Sequence, residues 1–220
     1  MGRAAEDILA RLPGGNPYAG FPYERYRLDL QGSRPPAVLR PLITELRPRL
    51  IVEVGSWKGD SALQMGEIIH EFGLDTAVVC IDTWLGSLEH LTGSVRGWDL
   101  RPYLRHGYPT LYYQFLANVM HRRCEDVVVP LANTSDNAAR WLIHQQIMAD
   151  LVYVDGSHEE DDVYRDVCGF WRLLRPGGTM FGDDWHAYWH GVICAVSRFA
   201  REQGLPVQVS EQTWSLQKPA

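Results

Sequence analysis

Short apolar runs alternate with segments of helical spacing along most of the chain. Runs rich in β-branched and aromatic residues predict buried strands at 50–54, 77–81, 127–131, 151–154 and 179–182. Helices are predicted between and after them, at 62–72, 137–148 and 192–203, with one more between the fourth and fifth strands that the turn 175–178 closes. Strands that alternate with helices predict an α/β fold: a doubly wound, Rossmann-like, mostly parallel sheet.

The C-terminal segment has a different pattern. Residues 206–209 and 213–216 alternate like two half-buried strands joined by a tight connection. They predict a terminal hairpin that adds one antiparallel strand and gives a sheet of seven strands.

Two parts of the chain lie outside this alternation. Residues 1–49 form a preamble with a short helix at 4–12, an irregular stretch at 16–26 and a helix at 35–47. From residue 50 to 220 we expect one domain, interrupted by an insertion at 85–119 that is dense in Gly, Trp, Tyr, Arg and His. Insertions of this length usually act as lids. A surface decoration or an oligomer contact is the alternative.

Acidic residues follow two of the predicted strands. Asp155 ends the fourth strand, His158 comes three residues later, and Asp183 and Asp184 end the fifth. Parallel neighbouring strands bring their carboxyl ends to the same edge of a sheet. Three carboxylates at one place repel one another unless a cation lies among them. The pattern therefore favours a metal site at Asp155, Asp183 and Asp184.

Composition narrows the class of partner. The 220 residues include 21 Lys and Arg against 27 Asp and Glu, a net charge of −6, which argues against nucleic acid or an anionic membrane as partner. The four cysteines show no CxxC pairing and predict free thiols. Residues 1–10 lack the apolar core of a signal peptide, and no apolar run approaches the ~18 residues of a membrane span. We expect a cytoplasmic protein.

The first predicted strand ends in a glycine turn. Gly55 and Gly59 bracket Ser56-Trp57-Lys58, and Glu53 precedes them where the dinucleotide fingerprint has its first glycine. A carboxylate there suits a ligand with an amino group or a sulfonium better than a pyrophosphate. Asp82, which ends the second predicted strand, is placed to accept hydrogen bonds from ribose hydroxyls. A plain helix cap is the alternative for Asp82.

These motifs resemble a known family. The segment Glu53-Val-Gly55-Ser-Trp-Lys-Gly59-Asp-Ser61 is similar to motif I of the class I S-adenosylmethionine-dependent methyltransferases, in the form found in the catechol O-methyltransferase group. Leu-Arg-Pro-Gly-Gly at 174–178 is typical of the whole class, and the acids at 155 and 183–184 resemble those of metal-dependent O-methyltransferases, including enzymes that act on natural-product sugars. The resemblance covers about three quarters of the chain and leaves out 85–119.

The resemblance implies roles for individual residues. Gly55, Trp57 and Ser61 would line the methionine and ribose portions of S-adenosylmethionine, beside Glu53 and Asp155, and Asp82 would hold the ribose. Thr134 and Ser135 would face the adenine. Asp155, Asp183 and Asp184 would hold a divalent cation, usually Mg²⁺, and His158 would be the catalytic base where the catechol enzymes have lysine. Those enzymes have Asp-Asn in place of Asp183-Asp184 and a much shorter segment at 85–119.

The sequence thus predicts a metal-assisted O-methyltransferase that moves a methyl group to a hydroxyl of a small molecule. The aromatic residues of 85–119 favour a sugar, a phenol or a polyketide-like ring, as in natural product biosynthesis. Two alternatives stay open: another reaction on the same fold, as in the cephalosporin hydroxylase-like proteins, or a metal-free protein that binds S-adenosylmethionine or serves as a scaffold. A homo-oligomer is also open.

Overall fold

The computed structural model describes residues 2–32, 36–93, 95 and 97–220. Its strands are β1 Leu50–Val54, β2 Ala77–Asp82, β3 Leu104–Arg105, β4 Tyr108–Pro109, β5 Val128–Ala132, β6 Ala149–Val154, β7 Leu174–Gly182, β8 Gln208–Ser210 and β9 Thr213–Gln217. Its α-helices are α1 Arg3–Leu9, α2 Leu39–Leu46, α3 Asp60–Glu71, α4 Leu88–Thr92, α5 Leu111–His121, α6 Ser135–His144, α7 Glu160–Trp171 and α8 His190–Gln203. Short 3₁₀ turns lie at Tyr23–Arg25, Arg101–Tyr103 and Ala187–Trp189.

Seven strands form one sheet in the order β5-β2-β1-β6-β7-β9-β8. The pairs from β5 to β7 are parallel, whereas β9 runs antiparallel to both β7 and β8. The predicted fold class, a Rossmann-like α/β sheet of seven strands with one antiparallel strand from a C-terminal hairpin, is confirmed. Strands β3 and β4 form a separate small hairpin within 85–119.

Apolar cores cover both faces of the sheet. In β1, Val52 and Val54 face one core, while Ile51 faces the other. Glu53 points to the same side as Ile51 and is fully buried, so a carboxylate occupies a core position in the central strand. Such a position requires hydrogen-bonding partners, which the glycine turn supplies.

Two predicted boundaries are corrected. The fifth strand was predicted at 179–182, but β7 begins at Leu174, because Leu174 pairs with Ala149 before the register shifts and Thr179 pairs with Leu151. The turn 175–178 is therefore an irregularity within the strand, and Gly177 supplies it with a φ of +76°. The helix predicted at 35–47 spans Leu39–Leu46, and Pro35 lies outside the described residues.

The described helices also bear on membrane insertion. None of those in 2–32, 36–93 and 97–220 has both the length and the apolar character that a membrane-spanning helix requires.

Two glycines provide a matched test of how closely the sheet is packed. A Cβ on Gly182, at the end of β7, would lie 2.5 Å from the Val154 carbonyl oxygen and 2.5 Å from Cζ2 of Trp214. A Cβ on Gly169, in α7, would come no closer than 3.7 Å to Ala139. We expect Gly182→Ala to lower the free energy of unfolding by about 3 kcal/mol. Gly169→Ala should raise it by about 0.5–1 kcal/mol, since alanine favours helix. Urea denaturation of both variants measures this, and equal effects would contradict the described packing.

Candidate functional site

A cavity of about 700 Å³ opens at the carboxyl edge of the central strands. Five strand ends contribute to it, because β5, β2, β1, β6 and β7 are parallel neighbours. Most of the residues that the sequence singled out line this one cavity: Gly55, Trp57, Ser61, Asp82, Thr134, Ser135, Asp155, Asp183 and Asp184. Glu53 lies beneath it and His158 beside it.

Glu53 supports the glycine turn from below. It accepts hydrogen bonds from the Ser56 and Ser61 hydroxyls, each at 2.5 Å. Burial raises the pKa of Glu53 to about 7, although both hydroxyls act in the opposite direction. Its carboxyl group therefore shapes the turn rather than lining the cavity.

The turn itself requires glycine at position 55. Gly55 has a φ of +86°, and a Cβ there would lie 2.1 Å from the Asp155 carbonyl oxygen. The ends of β1 and β6 consequently approach each other more closely than any side chain permits.

Asp82 is held by backbone groups of two loops. Its Oδ2 accepts hydrogen bonds from the backbone amides of Ser56 and Trp57, at 3.0 and 2.9 Å, and its Oδ1 accepts one from Trp84 at 2.7 Å. A carboxylate has about four acceptor positions, so Asp82 keeps capacity for a ligand in the cavity. Asp82 thus fixes the turn after β1 and faces the cavity at the same time.

Thr134 and Ser135 lie where β5 passes into α6. Thr134 caps the helix, its hydroxyl accepting a hydrogen bond from the Asn137 amide at 3.3 Å. Both residues line the cavity at the β5 side of the sheet. The acids at 155, 183 and 184 lie at the opposite end, after β6 and β7.

These three acids share a confined space. Burial raises the pKa of Asp155 to about 7, and the neighbouring charge of Asp184 adds to the shift. Burial likewise raises the pKa of Asp183. The Tyr153 hydroxyl donates a hydrogen bond to Oδ2 of Asp155 at 2.8 Å. The arrangement therefore disfavours the charged forms of Asp155 and Asp183, as expected for buried carboxylates that lie near another acid.

The donor chemistry suits a hard divalent cation, since Mg²⁺ prefers oxygen ligands. Nevertheless, no group of three His, Cys, Asp or Glu side chains in the described part of the chain is arranged so that it could hold a metal ion. Asp184, whose backbone is left-handed with a φ of +63°, turns its carboxylate toward His158 instead.

His158 lies between two carboxylates. Its Nε2 is 2.9 Å from Asp184 Oδ2, and its Nδ1 is 3.1 Å from Glu89 Oε1. Burial lowers the pKa of His158, but the bond to Asp184 and the nearby charges outweigh burial and raise it. The ring also stacks on Trp189, with centroids 3.8 Å apart. It borders a small space beside the main cavity, together with Asp155, Asp183 and Asp184.

Several residues of 85–119 line the cavity. Helix α4 carries Glu89, which contacts His158, and His90, which stacks on Trp57 with centroids 4.0 Å apart. The Trp98 ring also stacks with that of His90, with centroids 5.3 Å apart, and its centroid lies 5.7 Å from that of His158. We call Trp57, His90, Trp98 and His158 the aromatic row. Sequence reasoning missed Glu89 and His90, because no spacing relates them to the strand ends.

A second network anchors the N-terminal segment to the glycine turn. The buried Lys58 ammonium lies 2.8 Å from Asp29 Oδ1, and the Tyr103 hydroxyl donates to the other carboxylate oxygen. The Asn118 side chain donates to the carbonyl oxygens of Asp29 and Lys58 at 2.7 and 2.9 Å. The Lys58 charge is therefore compensated within the protein.

The fold and this cavity together define the class I methyltransferase architecture. Residues 52–185 match a protein family described as a methyltransferase domain. The match covers more than half of the chain, which therefore belongs to this family. The resemblance noted for the sequence is confirmed at this level. No curated protein sequence matches the chain.

Solved structures share the fold at low sequence identity. The O-methyltransferase from Bacillus cereus in complex with SAH is 13% identical, with a TM-score of 0.59, and the match covers 99% of this chain and 96% of that one. TomG of Streptomyces achromogenes, an O-methyltransferase of tomaymycin synthesis in complex with SAM, is 14% identical, with a TM-score of 0.54 and coverage of 82% and 78%. CalS11, a TDP-rhamnose 3'-O-methyltransferase of calicheamicin biosynthesis, is 16% identical, with a TM-score of 0.55 and coverage of 81% and 76%.

The contact between Glu89 and His158 should hold α4 over the cavity. The two side chains are only 13% and 6% exposed, so Glu89→Ala removes a largely desolvated charged hydrogen bond. We expect the backbone amides of α4 to exchange with solvent about 10- to 100-fold faster in this variant. Leu91→Ala, at a position of the same helix that is 58% exposed, is the matched control and should change little. Hydrogen exchange followed by mass spectrometry distinguishes them, and equal protection in both variants would show that Glu89 does not hold the helix.

Proposed function

We propose that this protein is an S-adenosylmethionine-dependent O-methyltransferase that methylates a hydroxyl group of a small molecule with the help of a divalent cation. The observation that carries the proposal is the shared cavity. It joins Asp82 and the glycine turn at one end to Asp155, Asp183 and Asp184 at the other. A methyl donor and an acceptor bound there would be neighbours, as an in-line displacement requires.

The donor would lie along the carboxyl edge of the sheet. In this proposal the ribose hydroxyls bind Asp82, and the methionine portion lies beside Gly55, Trp57 and Ser61, with Asp155 near the sulfonium. The adenine extends toward Thr134 and Ser135. Glu53 supports the turn through Ser56 and Ser61 and acts on the donor indirectly. The charges support this arrangement, because a cationic sulfonium beside Asp155 would offset the repulsion from Asp184 that helps to raise the pKa of Asp155.

The acceptor would bind over β6 and β7. Asp155, Asp183 and Asp184 are the residues that would hold a divalent cation, usually Mg²⁺, and their oxygen donors fit it chemically. A bound cation would supply Lewis acidity that lowers the pKa of the acceptor hydroxyl. To hold a cation, Asp184 would have to turn away from His158, because its Oδ2 lies 2.9 Å from Nε2 of that ring.

His158 is the proposed proton acceptor. Its ring lies beside Asp155, Asp183 and Asp184 and is fixed by Glu89 and by Trp189. Release of Asp184 would free Nε2 for the proton of the acceptor hydroxyl, while Glu89 kept hold of Nδ1. If Asp184 stays bound, both ring nitrogens of His158 keep their carboxylate partners. His158 then positions Asp184 and does not accept the proton.

The acceptor is proposed to be a hydroxylated natural product with a ring. Trp57 of the glycine turn, together with His90 and Trp98 of 85–119, gives the cavity aromatic faces that suit a sugar or a phenolic ring. The same residues support a lid role for that segment. The substrates named for CalS11 and the pathway named for TomG fall in the same chemical range. The domain limits, the cytoplasmic location and the absence of a nucleic-acid partner stay predictions.

A metal-free methyltransferase is the second candidate. The ion pair between His158 and Asp184 favours it, because the pair already compensates one of the three acids. A different reaction on this fold, as in the cephalosporin hydroxylase-like proteins, has no specific contact in its favour.

Donor binding is the first test. Calorimetry with S-adenosylhomocysteine should give a dissociation constant for the wild type, and Asp82→Ala should weaken binding by about 10- to 100-fold. The loss includes both the ribose contacts and the backbone amides of Ser56 and Trp57. Asp126→Ala, outside the cavity and paired with His70, is the control. Unchanged binding in Asp82→Ala would reduce Asp82 to a structural cap.

Metal assistance is the second test. A panel of hydroxylated natural products with labelled methyl donor should identify an acceptor, and chelator should abolish its turnover. Asp155→Ala and Asp184→Ala should each abolish the metal-stimulated rate and the heat of Mg²⁺ binding in the presence of S-adenosylhomocysteine, because each removes an oxygen ligand. Asp161→Ala, at an exposed acid at the start of α7, is the matched control. Full turnover in excess chelator would select the metal-free candidate.

The same assay measures the contribution of His158. His158→Ala should lower kcat by about 10²- to 10⁴-fold, the usual contribution of a positioned base. The affinity for S-adenosylhomocysteine should stay unchanged, because the ring lies outside the main cavity. Near-normal turnover would leave His158 with a positioning role only.

A further inference from the structure

The segment 27–32 lies against the glycine turn and has no regular secondary structure. We call it the strap. Side chains of other elements hold its backbone in place. The Asp60 carboxylate, at the start of α3, accepts hydrogen bonds from the amides of Gln31 and Gly32, at 2.9 and 2.7 Å. From α5, Gln114 donates to the first carbonyl oxygen of the strap at 2.8 Å. The position of the strap therefore depends on a few side-chain contacts.

Asp29 joins the strap to two other parts of the protein. Its Oδ1 lies 2.8 Å from the Lys58 ammonium of the glycine turn, and its other oxygen accepts a hydrogen bond from the Tyr103 hydroxyl of 85–119. The Lys58 side chain is only 10% exposed, so its charge is largely removed from water and attracts the carboxylate strongly. Asp29 is 41% exposed, so this contact can break with the carboxylate returning to water.

The strap and its partners border the main cavity. Gln31, Lys58 and Asp60 line it at the glycine turn, where the methionine portion of the proposed donor would lie. A Cβ on Gly97 would lie 2.9 Å from Gln31 Nε2, so the strap also meets 85–119 at this point. The strap and 85–119 therefore form adjoining walls at this end of the cavity.

We infer that the strap controls the passage of the donor and that Asp29 is the positioning residue that keeps the strap closed. This inference rests on the proposed function, because it takes S-adenosylmethionine as the ligand. While the contacts of Asp29 are formed, the strap stays against the glycine turn. When they break, Gln31 and its backbone can move away from the cavity, and a ligand can enter or leave. The opposing interpretation is that the strap is a static support of the turn.

The rates of ligand exchange separate the two interpretations. The probe is S-adenosylhomocysteine, and stopped-flow tryptophan fluorescence follows its binding, since Trp57 lines the cavity. Asp29→Ala removes the charged hydrogen bonds that keep the strap closed. The association and dissociation rate constants should therefore both rise by about 10-fold. Their ratio, the dissociation constant, should stay within about 3-fold of the wild type, because the ligand passes the same strap in both directions. A static support predicts faster dissociation without faster association.

A second variant and a control keep the test independent of how well Asp29→Ala folds. Tyr103→Phe removes one bond to Asp29 and keeps the ion pair with Lys58, so both rate constants should rise by a smaller factor of about 3. Glu71→Ala is the matched control. It breaks the exposed ion pair with Arg40, at 2.9 Å, which joins α2 to the C-terminal end of α3. It should leave both rate constants unchanged.

Trypsin reports the opening of the strap directly. Arg27 is exposed, and cleavage after it can be followed by mass spectrometry of the native, ligand-free protein. Cleavage in a native protein follows the population of the open form, so it should be about 10-fold faster in Asp29→Ala than in the wild type. Glu71→Ala should match the wild type.

The outcomes distinguish this inference from the proposed function. A wild type that does not bind S-adenosylhomocysteine overturns the proposed function and the inference with it. A wild type that binds it overturns the inference alone if Asp29→Ala and Tyr103→Phe change one rate constant or neither. Association and dissociation that accelerate together in these variants, and not in Glu71→Ala, support the inference. If Asp29→Ala does not fold, Tyr103→Phe decides.

Discussion

The mutual repulsion of carboxylates at one edge of a sheet is the constraint on which the site depends. Glu53, Asp82, Asp155, Asp183 and Asp184 come from four strands whose carboxyl ends meet there. In the described part of the chain, the partners of these acids are hydroxyls, backbone amides and one imidazole. Serines hold Glu53, amides hold Asp82, Tyr153 holds Asp155 and His158 holds Asp184. Burial and the neighbouring acids also raise the pKa of Glu53 and of Asp155 to about 7, which reduces the repulsion between them.

Two segments outside the central alternation complete the cavity. The N-terminal residues reach it through Asp29 and Lys58, and 85–119 reaches it through α4 and the aromatic row. Tyr103 joins the two, because its hydroxyl binds Asp29 while its own segment belongs to the insertion. The two segments outside the strand–helix alternation are thus linked by side-chain contacts to the glycine turn that follows β1.

The sequence predicted the strands better than the contacts between side chains. Strand β1 was predicted with its observed limits, because an apolar run that ends at a glycine turn is compatible with few structures other than a buried strand. The length of β7 was underestimated, because Pro176 and Gly177 ordinarily end a strand and here form an irregularity inside one. Asp82 and Asp155 could be placed at one edge from topology alone. The contact of Glu89 with His158 could not be predicted, because 69 positions separate the two residues and no periodicity relates them.

The backbone at Asp184 has a consequence for how such a protein can change. A φ of +63° is accessible at little cost to Gly, Asn and Asp, and is costly for β-branched or bulky residues. Most substitutions at this position therefore carry a conformational penalty in addition to any chemical one. Glycine and asparagine are the exceptions, and asparagine also keeps the size of the side chain and loses only its charge. The backbone geometry of this one loop residue therefore limits the directions in which related proteins can diverge at the end of β7.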